Sequence, residues 1–201
     1  MIYRFMFKLQ IYWKETTIKF DNNSSNRFKG IIHHLGNGNS KNAIDQKIID
    51  FSVSSVTSNS ECHQPDKSVE YENKSSGFYF HSDYNNDNDP WLCIDFKERK
   101  VKPSHYSLKS YAYGRGCWNT QSWNIEGSND LKNWEILDDR RNEKSLDNKG
   151  ASNTFEVKKA NGFYRYLRIH QTGSNTYFIE DYRFIIRSLE YFGTIQEPKI
   201  F

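Results

Sequence analysis

The most constraining feature of this chain is a series of short runs in which apolar side chains fall on every second residue. Each run is closed by a cluster of Gly, Asn, Asp or Ser. Leu92, Ile94 and Phe96 alternate in Trp91–Phe96, Tyr106 and Leu108 in His105–Tyr111, and Trp123 and Ile125 in Ser122–Gly127. Phe155 and Val157 do so in Thr154–Val157, and Leu167 and Ile169 in Tyr164–Ile169. Phe51–Val56 alternates at its start, and a final run spans Phe184–Phe192. Side chains two apart share a face of a strand, so each run offers one apolar face to a core. One-faced strands imply antiparallel sheets packed face to face. The predicted fold class is therefore all-β, an antiparallel β-sandwich with a short N-terminal extension. Only 36% of the residues are apolar but 16% are aromatic. Such a core has to be built from Trp, Tyr and Phe, and that aromatic content argues against disorder.

The pattern begins at Phe28. Residues 1–27 read as an N-terminal extension: 1–20 suit a short strand or helix, or the remnant of a preceding domain, and 21–27 is a polar, turn-forming linker. Residues 28–195 form the domain, and residues 196–201 a loose tail. One short helix is expected over Asn42–Ile48. Asn129-Asp130 favours a turn, after which Trp134, Ile136 and Leu137 re-enter the core.

Twenty-eight basic and 25 acidic side chains give a net charge of +3, with the signs interspersed. That balance argues against a nucleic-acid partner and leaves an anionic membrane surface as a minor option. Arg4, Lys8, Lys14 and Glu15 interrupt every apolar run near the N-terminus, so no secretory signal is expected. No stretch approaches the ~20 apolar residues of a membrane span. The expected location is cytoplasmic, in keeping with three cysteines (Cys62, Cys93, Cys117), an odd number with no Cys-x-x-Cys, read as reduced thiols.

Four pieces in order carry a resemblance. They are Trp91-Leu-Cys-Ile-Asp-Phe, Ser122-Trp-Asn-Ile-Glu-Gly-Ser-Asn-Asp with Trp134, Phe163-Tyr-Arg-Tyr-Leu-Arg-Ile, and Ser188-Leu-Glu-Tyr-Phe-Gly. Over residues 28–195 the chain resembles the discoidin-like (coagulation factor V/VIII type C) domains of the galactose-binding-like superfamily. More narrowly, it resembles the kind attached to BTB-type and related proteins in protists and animals. The resemblance implies a jelly-roll sandwich that binds ligands through loops at one end. It departs from secreted members in lacking a Cys near each end of the domain, which counts against extracellular lipid or collagen binding. In the second piece, Trp123 and Ile125 are expected to face inward. Gly127 is expected to permit a tight turn, Ser128, Asn129 and Asp130 to bond their own backbone, and Trp134 to cap the core.

The candidate ligand loops are the long polar connections 33–40, 81–89, 113–121 and 171–177. Arg115 lies between two glycines and precedes Trp118. Arg supplies a planar fork for carboxylate or phosphate, and Trp a stacking face for sugar or peptide. The alternative is a hairpin whose Trp118 folds back onto the end of the sandwich. The candidate site comprises Arg115, Trp118, Asn119, His81, Asp83, Asn175 and Tyr177. The acidic run with Asp83, Asp87 and Asp89 suits a loop better than a calcium site, because the EF-hand spacing is absent. His33, His34, Cys62, His63, His105 and His170 lack the paired spacing of zinc ligands. No metal or cofactor is expected. No nucleophile elbow, catalytic cysteine signature or helix-anchored phosphate loop is present, so the chain reads as a non-catalytic binding module. Protein or peptide recognition inside the cell is the leading expectation. Carbohydrate binding is the alternative, and anionic membranes a further one.

Overall fold

The computed structural model describes residues 11–22, 27–36, 43–56, 80–82, 88–111, 119–176 and 181–200. In chain order the elements are β1 (Ile11–Ile18), α1 (Ile31–Leu35), β2 (Asp50–Val53), β3 (Phe80–His81), β4 (Trp91–Asp95) and β5 (Lys100–Lys109). They continue with β6 (Trp123–Ser128), β7 (Glu135–Arg140), β8 (Ser152–Glu156), β9 (Tyr166–Gln171), β10 (Ile185–Ile186) and β11 (Ser188–Ile200). One sheet has the order β1-β11-β5-β8 and the other β2-β4-β9-β6-β7; β10 and β3 form a small ribbon. All ladders between these strands are antiparallel.

The alternation read from the sequence sets the registers. Tyr106 stands opposite both Tyr191 and Phe155, and Leu108 opposite Leu189, which gives the inner face of the four-stranded sheet. Leu92 and Ile125 flank Ile169, and Ile94 stands opposite Leu167, which gives the inner face of the other. All of these are buried, and each contributes on the order of 1.5–3 kcal/mol by leaving water. The aromatic core also carries hydrogen bonds between the sheets. The Trp123 indole N–H donates to the Tyr106 hydroxyl at 2.8 Å, which donates to Asp138 Oδ2 at 2.9 Å. Arg140 Nε donates to the same oxygen at 2.6 Å. Burial and the Asp138 carboxylate hold the Tyr106 hydroxyl well above its ordinary pKa, so it stays a donor.

Several expectations are revised. β1 pairs with the far half of β11 from Ile11 opposite Ile200 to Ile18 opposite Gly193. Residues 11–18 of the extension and 196–200 of the tail thus belong to strands of the four-stranded sheet. A β-bulge at Phe192/Gly193 lets β11 continue past β5. Gly193 has φ 142°, and a Cβ there would sit 2.2 Å from the Lys102 carbonyl oxygen, so no other residue fits. The segment expected as a helix is a set of turns over 43–49, while the helix is α1, just before it. Gly127 is not in a turn but inside β6. It is small because the Tyr164 ring packs there, 2.6 Å from where a Cβ would be. The turn chemistry after it is as expected for two residues: Ser128 Oγ accepts from the amides of Asp130 and Leu131, and Asp130 Oδ1 from those of Lys132 and Asn133. Asn129 instead bonds across to the Phe163 carbonyl and the Arg165 amide. Trp134 does not cap the core. It lies on the outer face of the sheet over the Arg168 guanidinium, 4.1 Å from the ring centroid. Of the neighbours Ile136 and Leu137 only Leu137 is buried, because consecutive strand residues face opposite ways.

Candidate functional site

The registers fix which connections share an end of the sandwich. Trp91 stands opposite His170, Trp123 opposite both Gln171 and Arg140, and Lys109 opposite Ser152 and Ser188. Val53 stands opposite Leu92, next to Trp91. The connections 54–79, 82–90, 110–122, 141–151 and 172–184 therefore all leave from one end. Three of the four polar connections singled out in the sequence belong to that set. The fourth, 33–40, does not: it leads from α1 to the 43–49 turns, where the Lys47 and Ile48 carbonyls meet Lys97 and Arg99 at the opposite end.

Of the candidate site residues, Arg115, Trp118, Asp83 and Tyr177 lie outside the described residues. Asn119, Asn175 and His81 lie within them. Asn119 and Thr120 form single bridges to Ile185 and Asn175. The Asn119 amide donates to Thr176 Oγ1 at 3.1 Å, and the Thr176 amide returns a bond to the Asn119 carbonyl at 3.1 Å. The Asn175 amide donates to the Asp181 carbonyl at 2.7 Å. Asp181 is clasped by Arg183, whose Nε lies 2.8 Å and 2.9 Å from the two carboxylate oxygens. Despite burial, these bonds hold the Asp181 carboxyl below its usual range. Gln171 Nε2 donates to the Tyr182 carbonyl at 2.6 Å and secures the returning chain. His81 is half-buried in β3, with Nδ1 2.6 Å from the Ser82 carbonyl; that contact requires the proton on Nδ1.

Together these segments form a cross-braced polar floor beneath the loop end. The floor has hydrogen-bonding capacity left over. Asn119 is 1% exposed, yet among the described residues neither its side-chain nitrogen nor its oxygen has a partner, and the same holds for Thr120 Oγ1 and Gln171 Oε1. Enclosed polar atoms without partners cost about 1–3 kcal/mol each, and native structures keep few of them.

A second polar cluster, missed in the sequence, crosses the outer face of the five-stranded sheet. Arg168 Nε donates to Glu126 Oε2 at 2.6 Å, and its guanidinium lies 5.7 Å from the Trp91 centroid and 4.1 Å from that of Trp134. His170 Nδ1 is 3.1 Å from Glu126 Oε1, and its Nε2 is 2.6 Å from Asp89 Oδ1. These partners raise the pKa of His170 against the opposing effect of its burial; Glu126 contributes most and Asp89 next. Glu126 is buried, which alone would raise its carboxyl pKa, but His170 and Arg168 bring it below the usual range. The available signal was positional: Glu126, Arg168 and His170 alternate with the core residues Ile125, Leu167 and Ile169.

At the other end of the sandwich is a surface hollow of about 320 Å³ bounded by Gly127, Asp130, Trp134, Glu135 and Tyr164. Its polar groups are spent on one another: Tyr164 donates to Glu135 at 2.7 Å and Asn133 to Asp130 at 2.7 Å. Among the described residues no group of three or more His, Cys, Asp or Glu side chains is arranged to hold a metal ion. No described helix is long and apolar enough to cross a membrane.

Comparison with solved structures identifies this architecture. A family 32 carbohydrate-binding module of Clostridium perfringens in complex with GalNAc-β-1,3-galactose superposes with a TM-score of 0.55, covering 73% of this chain and 96% of that one at 9% identity. The family 32 module of C. perfringens NanJ, in complex with galactose, gives 0.51 over 76% and 96% at 12% identity. The fold is the antiparallel β-sandwich of these modules. A fucolectin from striped bass (Morone saxatilis) serum shares it with a TM-score of 0.51, covering 75% of this chain and 47% of that one at 14% identity. No family model matches the sequence. Two curated relatives match part of it. The E3 ubiquitin-protein ligase hecd-1 of Caenorhabditis elegans is 36% identical over 78 residues, 38% of this chain and 3% of the ligase. The E3 ubiquitin-protein ligase Ufd4 of Drosophila melanogaster is 32% identical over 88 residues, 42% of this chain and 3% of the ligase. The matched segments are thus a small fraction of each ligase.

Proposed function

We propose that this discoidin-like domain is a non-catalytic glycan-binding module that takes a neutral or amino hexose at the loop end. The observation that supports the reading is that the strand ends leading into the connections 82–90, 110–122 and 172–184 meet at one end of the sandwich, around one braced polar floor. Sugars are recognised by a stacking aromatic and a few fixed hydrogen-bonding groups, and Trp118, Arg115, Asn119 and Asn175 are residues of those types. The sugar complexes of the two Clostridium modules support the same ligand class. Carbohydrate recognition thereby takes precedence over the peptide recognition expected from the sequence. Titrating the full chain with galactose and with GalNAc-β-1,3-galactose while following tryptophan fluorescence tests it. A saturable change that Trp118→Ala abolishes without altering the melting temperature is expected; no change at millimolar sugar refutes it.

A second reading, recognition of a protein or peptide by the same loops, is favoured by the partial match to the two ligases. Capture of a protein that the Arg115→Ala/Trp118→Ala variant fails to capture, with no response to any sugar, would select it.

A further inference from the structure

Among the described residues, the cluster on the outer face of the five-stranded sheet reaches the loop end through Asp89. From Trp134 it runs through Arg168, Glu126 and His170 to Asp89, and the charged groups alternate in sign when His170 is protonated. Glu126 and His170 are largely enclosed, with side-chain exposures of 6% and 16%, whereas Asp89 is 81% exposed. Asp89 stands at the foot of the 82–90 connection, next to Pro90, whose carbonyl accepts from the Gln171 amide at 3.0 Å. The described groups facing His170 are Glu126 and Asn124 on β6, Asp89 just before β4, Trp91 at the start of β4, and Arg168 on its own strand. Asp139 lies one strand further, opposite Asn124. Asn124 is 6% exposed and its Oδ1 has no partner.

We propose that Glu126, His170 and Asp89 form a proton-operated tether that positions the foot of the 82–90 connection and thereby sets ligand affinity at the loop end. Protonated imidazole donates from both nitrogens, so it bonds both carboxylates at once. Neutral imidazole carries one N–H. Glu126 is enclosed and cannot be rehydrated, so Nδ1 keeps the proton and Nε2 gives its proton to water. Nε2 and the Asp89 carboxylate then face each other lone pair to lone pair, and the exposed Asp89 exchanges the imidazole for solvent. Deprotonation therefore releases the loop-end partner selectively and leaves the Glu126–Arg168 pair in place. His170 acts here as a positioning residue and does not touch ligand. Because both carboxylates favour the charged imidazole, release occurs on the alkaline side of an ordinary histidine.

The effect on affinity rests on the glycan reading; the tether itself does not. Two measurements on the full chain, each with wild type and Asp89→Asn, separate them. The first follows the His170 imidazole nitrogens and the backbone amides of Asp89 and Trp91 by NMR from about pH 5.5 to about pH 8. The expected result is a His170 midpoint above 6.5 that falls in Asp89→Asn, with the two amides shifting at that midpoint in wild type only. The second is galactose affinity over the same range, expected to weaken several-fold through the midpoint in wild type and to stay flat in Asp89→Asn. A midpoint that Asp89→Asn does not move overturns the tether. A shifted midpoint with sugar binding that ignores pH overturns its effect on affinity. If no sugar binds, the glycan reading fails, and the amide shifts at Asp89 and Trp91 still decide whether the tether exists.

Discussion

Glu190 offers a quantitative test of how the fold handles a buried charge. It lies in β11 and is 3% exposed. Its Oε1 accepts from the amides of Ile32 and Tyr191, both at 2.8 Å, and its Oε2 from that of His33 at 3.0 Å. The carboxylate thus does the work of the missing N-cap side chain of α1, whose N-cap residue is Gly30. Burial pushes the carboxyl up to about 7 from 4.5, against the pull of these amides. Between those values the folded protein holds a proton that the unfolded chain has lost, so stability falls as pH rises through the window. At about 1.4 kcal/mol per unit the loss is about 3 kcal/mol, complete near pH 8. Glu190→Gln removes the titration and keeps the shape, but it sets an NH2 against the His33 amide and costs about 1–3 kcal/mol at every pH. Urea unfolding from about pH 5 to about pH 8 measures both effects. His170 destabilises with rising pH in the same direction, because its folded pKa is also raised, but it does so in both proteins and cancels in the difference. Wild type should lose about 2.5 kcal/mol more than the variant across this range, the rest of the loss falling below about pH 5. Parallel curves would show that the three-amide cradle keeps Glu190 ionised at little cost, and would refute the reasoning.

Trp123→Ala removes a fully buried side chain and strands the Tyr106 hydroxyl network; it should cost about 3–5 kcal/mol by thermal or urea unfolding, against little change for Trp118→Ala. Gly127→Ala places a methyl 2.6 Å from the Tyr164 ring and should destabilise by about 1–3 kcal/mol, with a shift in the tyrosine near-UV signal. Cys93 is 2% exposed and its thiol is pushed up to about 12 by burial, so a thiol reagent at neutral pH should leave it unmodified until the protein is unfolded, as read by peptide mass analysis.

The strands that build both inner faces were legible because period-two alternation is strong wherever one face is buried: Leu92/Ile94, Trp123/Ile125 and Leu167/Ile169 all occupy the expected face. β1 was not. It is an edge strand with Tyr12 and Trp13 both about half exposed, at 50% and 45%, so its apolar residues do not segregate to one face. The far end of β11 was missed for the same reason, since beyond Gln196 it pairs with the edge strand β1 and no longer with β5. The convergence of polar connections was legible only in part. The turn residues mark loops, but which end a loop leaves from depends on strand order, a long-range property. The Glu126–His170 pair lies 44 residues apart in sequence. Its members look like ordinary solvated positions until the sheet sets them side by side.

The most direct test of a glycan site at the loop end is an NMR titration of the full chain with galactose, following the backbone amides of Asn119, Thr120, Asn175 and Thr176. The account predicts saturable shifts concentrated on these four, with Lys97, Arg99 and Asn133 at the opposite end unmoved. Shifts confined to the opposite end, or none at millimolar sugar, would contradict it.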